Sequence, residues 1–468
     1  MKETTPIDEK QINAAPLKSF FVSMLTRDID LEDSILDLLD NCVDGILRSR
    51  PDEGNQPYYG YKAEIRLEKD LFLISDNCGG IPWNLHKYAF RMGRDPERQS
   101  DAPGLVGYYG IGMKRAIFKM GRNCSISTKN INHQYQVEIT QDWLQDEYTW
   151  DLPVKNINWK GKDGTIIKIT NLYSNISKQF EENSKKFTAN LERIISTHYA
   201  IIIEKGFEIK INNQIVVPRT TKLVFDSHQL EQTGIRPFIF KTITSDNVDV
   251  FLAVGFWRPP PSENEINEEK ESTKYSSMDA GWTIVCNDRV VVFCDRSELT
   301  GWGEAGVPRF HNQFIAISGV VEFRSKDPGK LPTKTTKRGL DSSAPIYLQV
   351  KNKMREGMKI FTDYTNKWKG REDESKKQIS KGENLPLREI RQKSEKLSMN
   401  TTSRTVIPGE QYRPNLPKPE LPESTARRIS FVKENIKIKK VAAYFGDSSL
   451  DPSDVGEKCF DLVYQEAK

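Results

Sequence analysis

GLVGYYGIGMKRAIFKMG, residues 104–121, places glycines at 104, 107, 110 and 112 and then runs directly into a helical apolar pattern from Met113. Glycines at that density leave successive N–H groups open. The helix N-terminus that follows adds partial positive charge, so the pair suits a di- or triphosphate. Gly107, Tyr109, Gly110, Ile111, Gly112 and Met113 are therefore candidate phosphate-cradling backbone positions, and Lys114 would add a point charge. The stretch is not GxxxxGK[ST], because Arg115 follows Lys114, and no GxGxxG stands at a first strand-to-helix turn. Walker-type and dinucleotide-binding loops are excluded on that ground. A flexible loop ahead of a core helix is the plainer alternative.

Upstream of that loop, residues 31–49 predict an amphipathic helix: Ile35, Leu38, Leu39, Val43 and Ile46 recur at helical spacing, with Asp33, Asp37, Asn41 and Asp44 on another face. Asp37 and Asn41 are four apart and so one turn apart. An ionised aspartate can take a proton from an attacking water. An asparagine amide oxygen is a hard ligand suited to Mg²⁺. A solvated helix face explains the same pair more plainly. Lys62–Leu67 and Leu71–Ser75 predict a hairpin that ends in ISDNCGGIP, residues 74–82. There Asp76 can accept an exocyclic amine, and Gly79 and Gly80 let backbone pass close to a base; a tight turn is the alternative. Strands are predicted at 123–129, 134–140 and 164–170, the last opening on Gly164-Thr165. A helix Ser177–Tyr199 closes this unit.

A second β-rich unit is predicted from about Phe207, beginning with a hairpin, FEIKINNQIVV, on an Asn-Asn turn. Further strands are expected at Phe238–Thr244, Val248–Trp257, WTIVCNDRVVVF (282–293) and FIAISGVVEF (314–323), with a proline-rich acidic loop at 258–280 and a long helix Ala344–Trp368. From Lys369 the chain turns charged and proline-rich, which predicts an extended linker. The expected organisation is an arm (1–17), a first domain (18–205), a second (206–368), the linker (369–423) and a small helical interaction module (424–468).

The chain has 468 residues, 37% hydrophobic and 29% charged, a composition for two or three domains with real cores. Its net charge of +4 neither demands nor excludes nucleic acid. Six cysteines stand singly, without a CxxC pair, and five dispersed histidines offer no zinc-ligand spacing. No apolar run is long enough to cross a bilayer, and the polar start lacks a signal-type apolar region, so a cytoplasmic location is expected.

In this order, the Asp37–Asn41 helix, the Asp76 turn, the glycine-rich loop and Gly164-Thr165 resemble the GHKL ATPase superfamily, which includes gyrase B, the ninety-kilodalton heat-shock chaperone, histidine kinases and MutL. The likeness covers roughly residues 18–200. It implies an α+β protein whose two-layer α/β sandwich, the Bergerat fold, holds Mg-ATP in a bent pose under a lid. On that model Asp37 is the general base, Asn41 the magnesium ligand and Asp76 the adenine contact. Gly80 matches the second glycine of the adenine motif, and Gly107, Gly110, Gly112 and Lys114 match the phosphate loop. Thr165 matches the last box. The base position is usually glutamate; here it is aspartate, one methylene shorter, which implies either slow hydrolysis or a helix that sits closer. Cys78 stands where the first glycine of the adenine motif is usual.

Too few residues precede the first motif for a histidine kinase's phosphoacceptor helix. The second half resembles instead the transducer subdomain of MORC- and MutL-like proteins, through the Asn-x-Arg turn of WTIVCNDRVVVF and the loop LPTKTTKRGLD. That likeness implies that Lys337, or else Lys334, reaches the γ-phosphate; a solvated basic loop is the alternative. The implied function is an ATP-gated homodimerising clamp in DNA transactions or prokaryotic defence, acting on DNA or with a separate effector protein, and with no membrane. A chaperone-like or signalling ATPase that clamps a protein client, and a non-hydrolysing nucleotide-dependent scaffold, are the alternatives.

Overall fold

The computed structural model describes residues 17–49, 54, 56–91, 110–182, 184–228, 232–262, 265, 279–334, 339–402, 407–420 and 429–467. Gly107, Tyr109 and Lys337, the arm 1–16 and most of the loop 258–280 lie outside them. The chain is a mixed α+β protein that divides into two compact units, Met1–Lys418 and Pro419–Lys468.

The first half runs α1 (Lys18–Arg27), α2 (Leu31–Ser49), β1 (Lys62–Glu68), β2 (Leu71–Asp76), α3 (His86–Phe90), α4 (Gly112–Met120), β3 (Gly121–Lys129), β4 (Gln134–Ile139), α5 (Gln141–Gln145), β5 (Val154–Asn156), β6 (Gly164–Leu172), α6 (Ser174–Glu181), α7 (Ser184–His198), α8 (Ala200–Glu204), β7 (Glu208–Ile211) and β8 (Gln214–Ile215). One sheet takes all eight strands in the order β5-β4-β3-β6-β2-β1-β7-β8. Its strands alternate: Ile65, Phe72, Ile74, Ile126, Val137 and Ile169 are buried while their neighbours are more exposed. That is the pattern of a sheet covered on one face. The cover comes from α2, α4 and α7, whose Leu39, Ile117 and Leu191 join the same core.

Two expectations shift here. The Asn-Asn hairpin forms, with Asn212 and Asn213 at φ of 46° and 68°, as a two-residue turn between strands requires. However, β7 lies parallel to β1, so the hairpin completes the first sheet instead of opening the second. The single helix Ser177–Tyr199 is instead two, α6 and α7. A third difference concerns α2. Its apolar stripe is buried as expected, but so are Asp37, Asp40 and Asp44. A buried carboxylate needs partners, and α2 finds them because it lies between the first sheet's other helices and a turn of the second sheet.

The second half contains β9 (Lys222–Phe225), β10 (Phe238–Ile243), β11 (Asp249–Phe256), β12 (Gly281–Cys286), β13 (Arg289–Asp295), β14 (Ile317–Arg324), α9 (Pro345–Lys367), α10 (Glu372–Ile379), β15 (Glu383–Pro386), α11 (Leu387–Ser394), β16 (Asn400–Thr402) and β17 (Gly409–Tyr412). Seven strands form a sheet ordered β13-β12-β14-β11-β10-β17-β16. Strands β11 and β12 are buried almost continuously, as strands covered on both faces are. On one face α9 packs Val350, Met354, Met358 and Phe361 against Val254 and Phe256. On the other, the β9–β15 ribbon and α11 bring Leu223, Phe225, Leu385 and Ile390 against Ile239 and Phe251.

The expected linker is thus folded over residues 369–402 and 407–418. Its charge is high, but six of its apolar residues, Ile379, Leu385, Ile390, Leu397, Ile407 and Tyr412, are buried, and β17 adds a strand to the edge of β10. Composition averaged over the stretch hides this, because a few well-placed side chains suffice: Leu385, Ile390, Leu397 and Tyr412 cover one face of the second sheet, and Ile379 and Ile407 join the core on the other. Each such burial contributes about 1.5–3 kcal/mol, so together they rival the whole stability of an ordinary domain, about 5–15 kcal/mol. A chain truncated after Trp368 is therefore expected to be insoluble or to melt without cooperativity. Circular dichroism melting checks this, and an unchanged melt would restore the linker reading.

The second unit holds α12 (Asn435–Tyr444) and α13 (Pro452–Glu466), with Ala442 and Val455 buried between them. Among the described residues, no helix is long and apolar enough to cross a membrane.

Candidate functional site

Asp37 projects from α2 toward the first turn of α4 and is 3% exposed. A Cβ on Gly112 would lie 3.1 Å from its Cγ, so the carboxylate sits against the start of α4, where the helix dipole favours negative charge. One turn further along α4, Arg115 donates to Asp37 Oδ2 from Nε (3.1 Å) and from Nη2 (2.5 Å). Arg115 was not singled out by the sequence; its only signal was its place three residues after Gly112, on the side of α4 that packs on α2. Asn41, one turn after Asp37, is exposed.

Asp76 ends β2, and its carboxylate is fixed from three sides. The Cys78 N–H donates to Oδ1 at 2.7 Å, the Cys42 thiol lies 3.6 Å from Oδ2, and the Thr165 N–H bonds to it from the start of β6. The protein packed around it raises its pKa to about 6, against the pull of those hydrogen bonds. Beyond it the chain turns through Gly79 and Gly80, at φ of 90° and 67°. A Cβ on Gly80 would lie 2.0 Å from the Lys129 carbonyl oxygen, and one on Gly164 would lie 2.0 Å from that of Asp76. The turn is thus pressed directly onto the ends of β3 and β6. Thr165 is buried, its hydroxyl 3.2 Å from that of Thr128, which also accepts from the Ile81 N–H at 2.8 Å. Burial raises the thiol pKa of both Cys42 and Cys78, with mutual hydrogen bonding the first cause for Cys42.

Helix α2 joins the two groups, with Asp37 on α4 and Cys42 on Asp76. Lys114 is placed differently from a phosphate contact: it is 4% exposed and its ammonium donates to the carbonyls of Ala89, at 3.0 Å, and Gly110. It ties α3 to the turn before α4, and burial lowers its pKa to about 8. Gly110 has φ of 68°, Ile111 is the residue before α4, and Met113 is buried. A cavity of about 530 Å³ opens beside this turn, lined by Phe90, Met113, Lys114, Ile126, Val137 and Trp143 among others. Its lining does not include Asp37, Asn41 or Asp76, so it is a neighbour of the polar group. Lys334 is exposed, in a loop closed by its N–H to the Gly339 carbonyl (3.0 Å) and a Thr333–Leu340 bridge.

The chain matches no protein-family model and no curated protein. Its functional reading therefore rests on the residues themselves. They offer a fixed carboxylate acceptor, a glycine turn close to it, a second buried carboxylate at a helix start, and an exposed amide on the helix between them.

Proposed function

We propose that this chain binds Mg-ATP between α2, the ends of β2 and β6, and the start of α4, as a GHKL-type ATPase. Hydrolysis is slow, and the bound nucleotide closes an N-terminal homodimer clamp of MORC or MutL kind on DNA or on a separate effector protein. The observation that carries the nucleotide part is Asp76. Its carboxylate is held rigid by two backbone N–H groups and by the helix that bears Asp37 and Asn41. A fixed acceptor beside a close-packed glycine turn suits an exocyclic amine on a flat base. Asp37 stands five residues before Cys42, about 7.5 Å along the helix axis, so one rod can serve the base at one end and the phosphates at the other. Asn41 is the residue that would hold magnesium, which takes few protein ligands and supplies neutralisation of phosphate charge. The dimer and the DNA or effector rest on the likeness of motifs and second-half layout alone.

The pKa of Asp76 gives a direct test. Above about pH 6 the carboxylate is ionised and accepts the adenine amine strongly; below it the proton weakens that bond. ATP affinity is expected to fall about tenfold between pH 7.5 and pH 5, measured by calorimetry, and Asp76→Asn should abolish the step. The same shift has an opposite sign for stability. The folded state holds this proton more tightly than the unfolded chain, so Asp76 favours folding below pH 4 and that contribution disappears as pH rises through 6. GTP bound as tightly as ATP, or affinity flat across this range, would remove the adenine reading. Sedimentation with a non-hydrolysable ATP analogue tests the clamp, which requires a dimer.

The Arg115–Asp37 pair favours a second reading. A guanidinium that stays on Oδ2 with nucleotide bound would keep the carboxylate from water, leaving a nucleotide-dependent scaffold without turnover.

A further inference from the structure

Helix α2 carries another buried carboxylate, Asp40, one turn after Asp37, and it is paired with a residue of the other sheet. Arg289, the first residue of β13, donates from Nε to Asp40 Oδ1 at 3.1 Å, and the two side chains are 2% and 1% exposed. The Tyr199 hydroxyl lies 2.6 Å from the same oxygen and 2.8 Å from the Leu36 carbonyl, and the Arg289 guanidinium stacks over the Tyr199 ring at 4.2 Å. The turn that delivers Arg289 is itself locked. Asn287 and Asp288 both have positive φ, at 47° and 66°. The Asn287 amide bonds in both directions to the Ser325 backbone at 3.0 Å. Asp288 takes Lys205 at 2.7 Å, Arg324 at 3.0 Å and the Tyr58 hydroxyl at 3.1 Å. The second sheet thus enters the first layer as one charged plug, and its tip rests on the helix that bears the candidate site.

A buried ion pair adds little net stability, but it allows one geometry of docking. Asp40 is three residues after Asp37 and precedes Asn41, so any turn or slide of α2 that Arg289 permits moves both site residues with it. A displacement near 1 Å at a reacting group costs on the order of 100-fold in rate. We propose that Arg289 is a positioning residue: through Asp40 it sets the placement of α2, so that the second sheet regulates turnover at the site on the first. This rests on the nucleotide reading of that site.

Arg289→Ala would leave Asp40 buried without its cation, and loss of the fold would obscure the result. Arg289→Lys keeps the charge and drops the planar fork and the ring stack. Val254→Ala, in the second core, serves as a control of similar destabilisation. In Arg289→Lys, kcat is expected to fall at least about tenfold with ATP affinity within about threefold, while Val254→Ala changes neither. An unchanged kcat, or an equal fall in the control, overturns the proposal. Hydrogen exchange without nucleotide separates it from the reading beneath it. Amides 36–44 should lose protection in Arg289→Lys and keep it in the control; unaltered protection overturns the tie whether or not ATP binds. Failure of the wild type to bind adenine nucleotide, with that loss of protection present, rejects the nucleotide reading and leaves the tie standing.

Discussion

Asp37→Ala is expected to lower ATP turnover by about 100- to 10,000-fold, the range for losing a positioned general base, while ATP affinity stays within about threefold. Asp37 is buried between α2 and the start of α4, within reach of Gly112 and Arg115, so its removal touches the phosphate end of the proposed site and leaves Asp76 untouched. Steady-state phosphate release measures the first quantity and calorimetry the second. Asp37→Asn, which preserves shape, should lose turnover to a similar degree. A wild type no faster than Asp37→Ala would mean that no hydrolysis runs through this carboxylate, and the scaffold reading would then stand.

Gly80→Ala is expected to be nearly as damaging by a different route. The new Cβ would lie 2.0 Å from the Lys129 carbonyl oxygen, backbone that cannot swing aside, at a φ of 67°. Overpacking costs about 1–3 kcal/mol, and the left-handed backbone about 1–2 kcal/mol more. For a chain of this size that lowers the melting temperature by about 2–5 °C. The turn after Asp76 must shift to relieve the clash, so ATP binding should be lost even where the fold survives. Gly60→Ala is the matched control: its φ is 85°, but nothing lies within 4 Å of its Cβ position. It should cost only the backbone term. Equal melting temperatures for the two variants would show that the Gly80 turn is not pressed against β3.

Local pattern carried most of the elements. The spacing of Ile35, Leu39, Val43 and Ile46 marks α2, the Asn212-Asn213 pair marks the β7–β8 turn, and the apolar run 346–361 marks α9. Pairings over long distances were not legible. Nothing near residue 208 says that β7 will lie parallel to β1, and nothing near residue 410 says that β17 will bond to β10. The same holds for the site. Asp37, Asn41, Asp76 and Thr165 can be picked out by residue type and spacing, because each sits in a short local motif. Arg115 cannot, since it matters only for a carboxylate far away in sequence, and an arginine on a helix surface reads as solvated; the Asn-x-Arg turn does mark Arg289, but nothing near it says that its partner is Asp40. Lys114 shows the converse: its place in a glycine-rich motif suggests a phosphate contact, whereas burial turns its ammonium to the carbonyls of Ala89 and Gly110.

The return of residues 409–412 to the edge of β10 bears on how the molecule is made. Strand β10 begins at Phe238 and its outer neighbour ends at Tyr412, so some 170 residues must be synthesised between the two partners. At about 5–20 residues per second, the edge of the second sheet stays open for roughly ten to thirty seconds after β10 emerges. During that interval Ile239 and Phe251 lack the cover that Leu385, Ile390 and Tyr412 later supply. An unpaired edge beside an uncovered apolar face is a template for wrong pairing. The second sheet is therefore the part of this chain most dependent on uninterrupted translation.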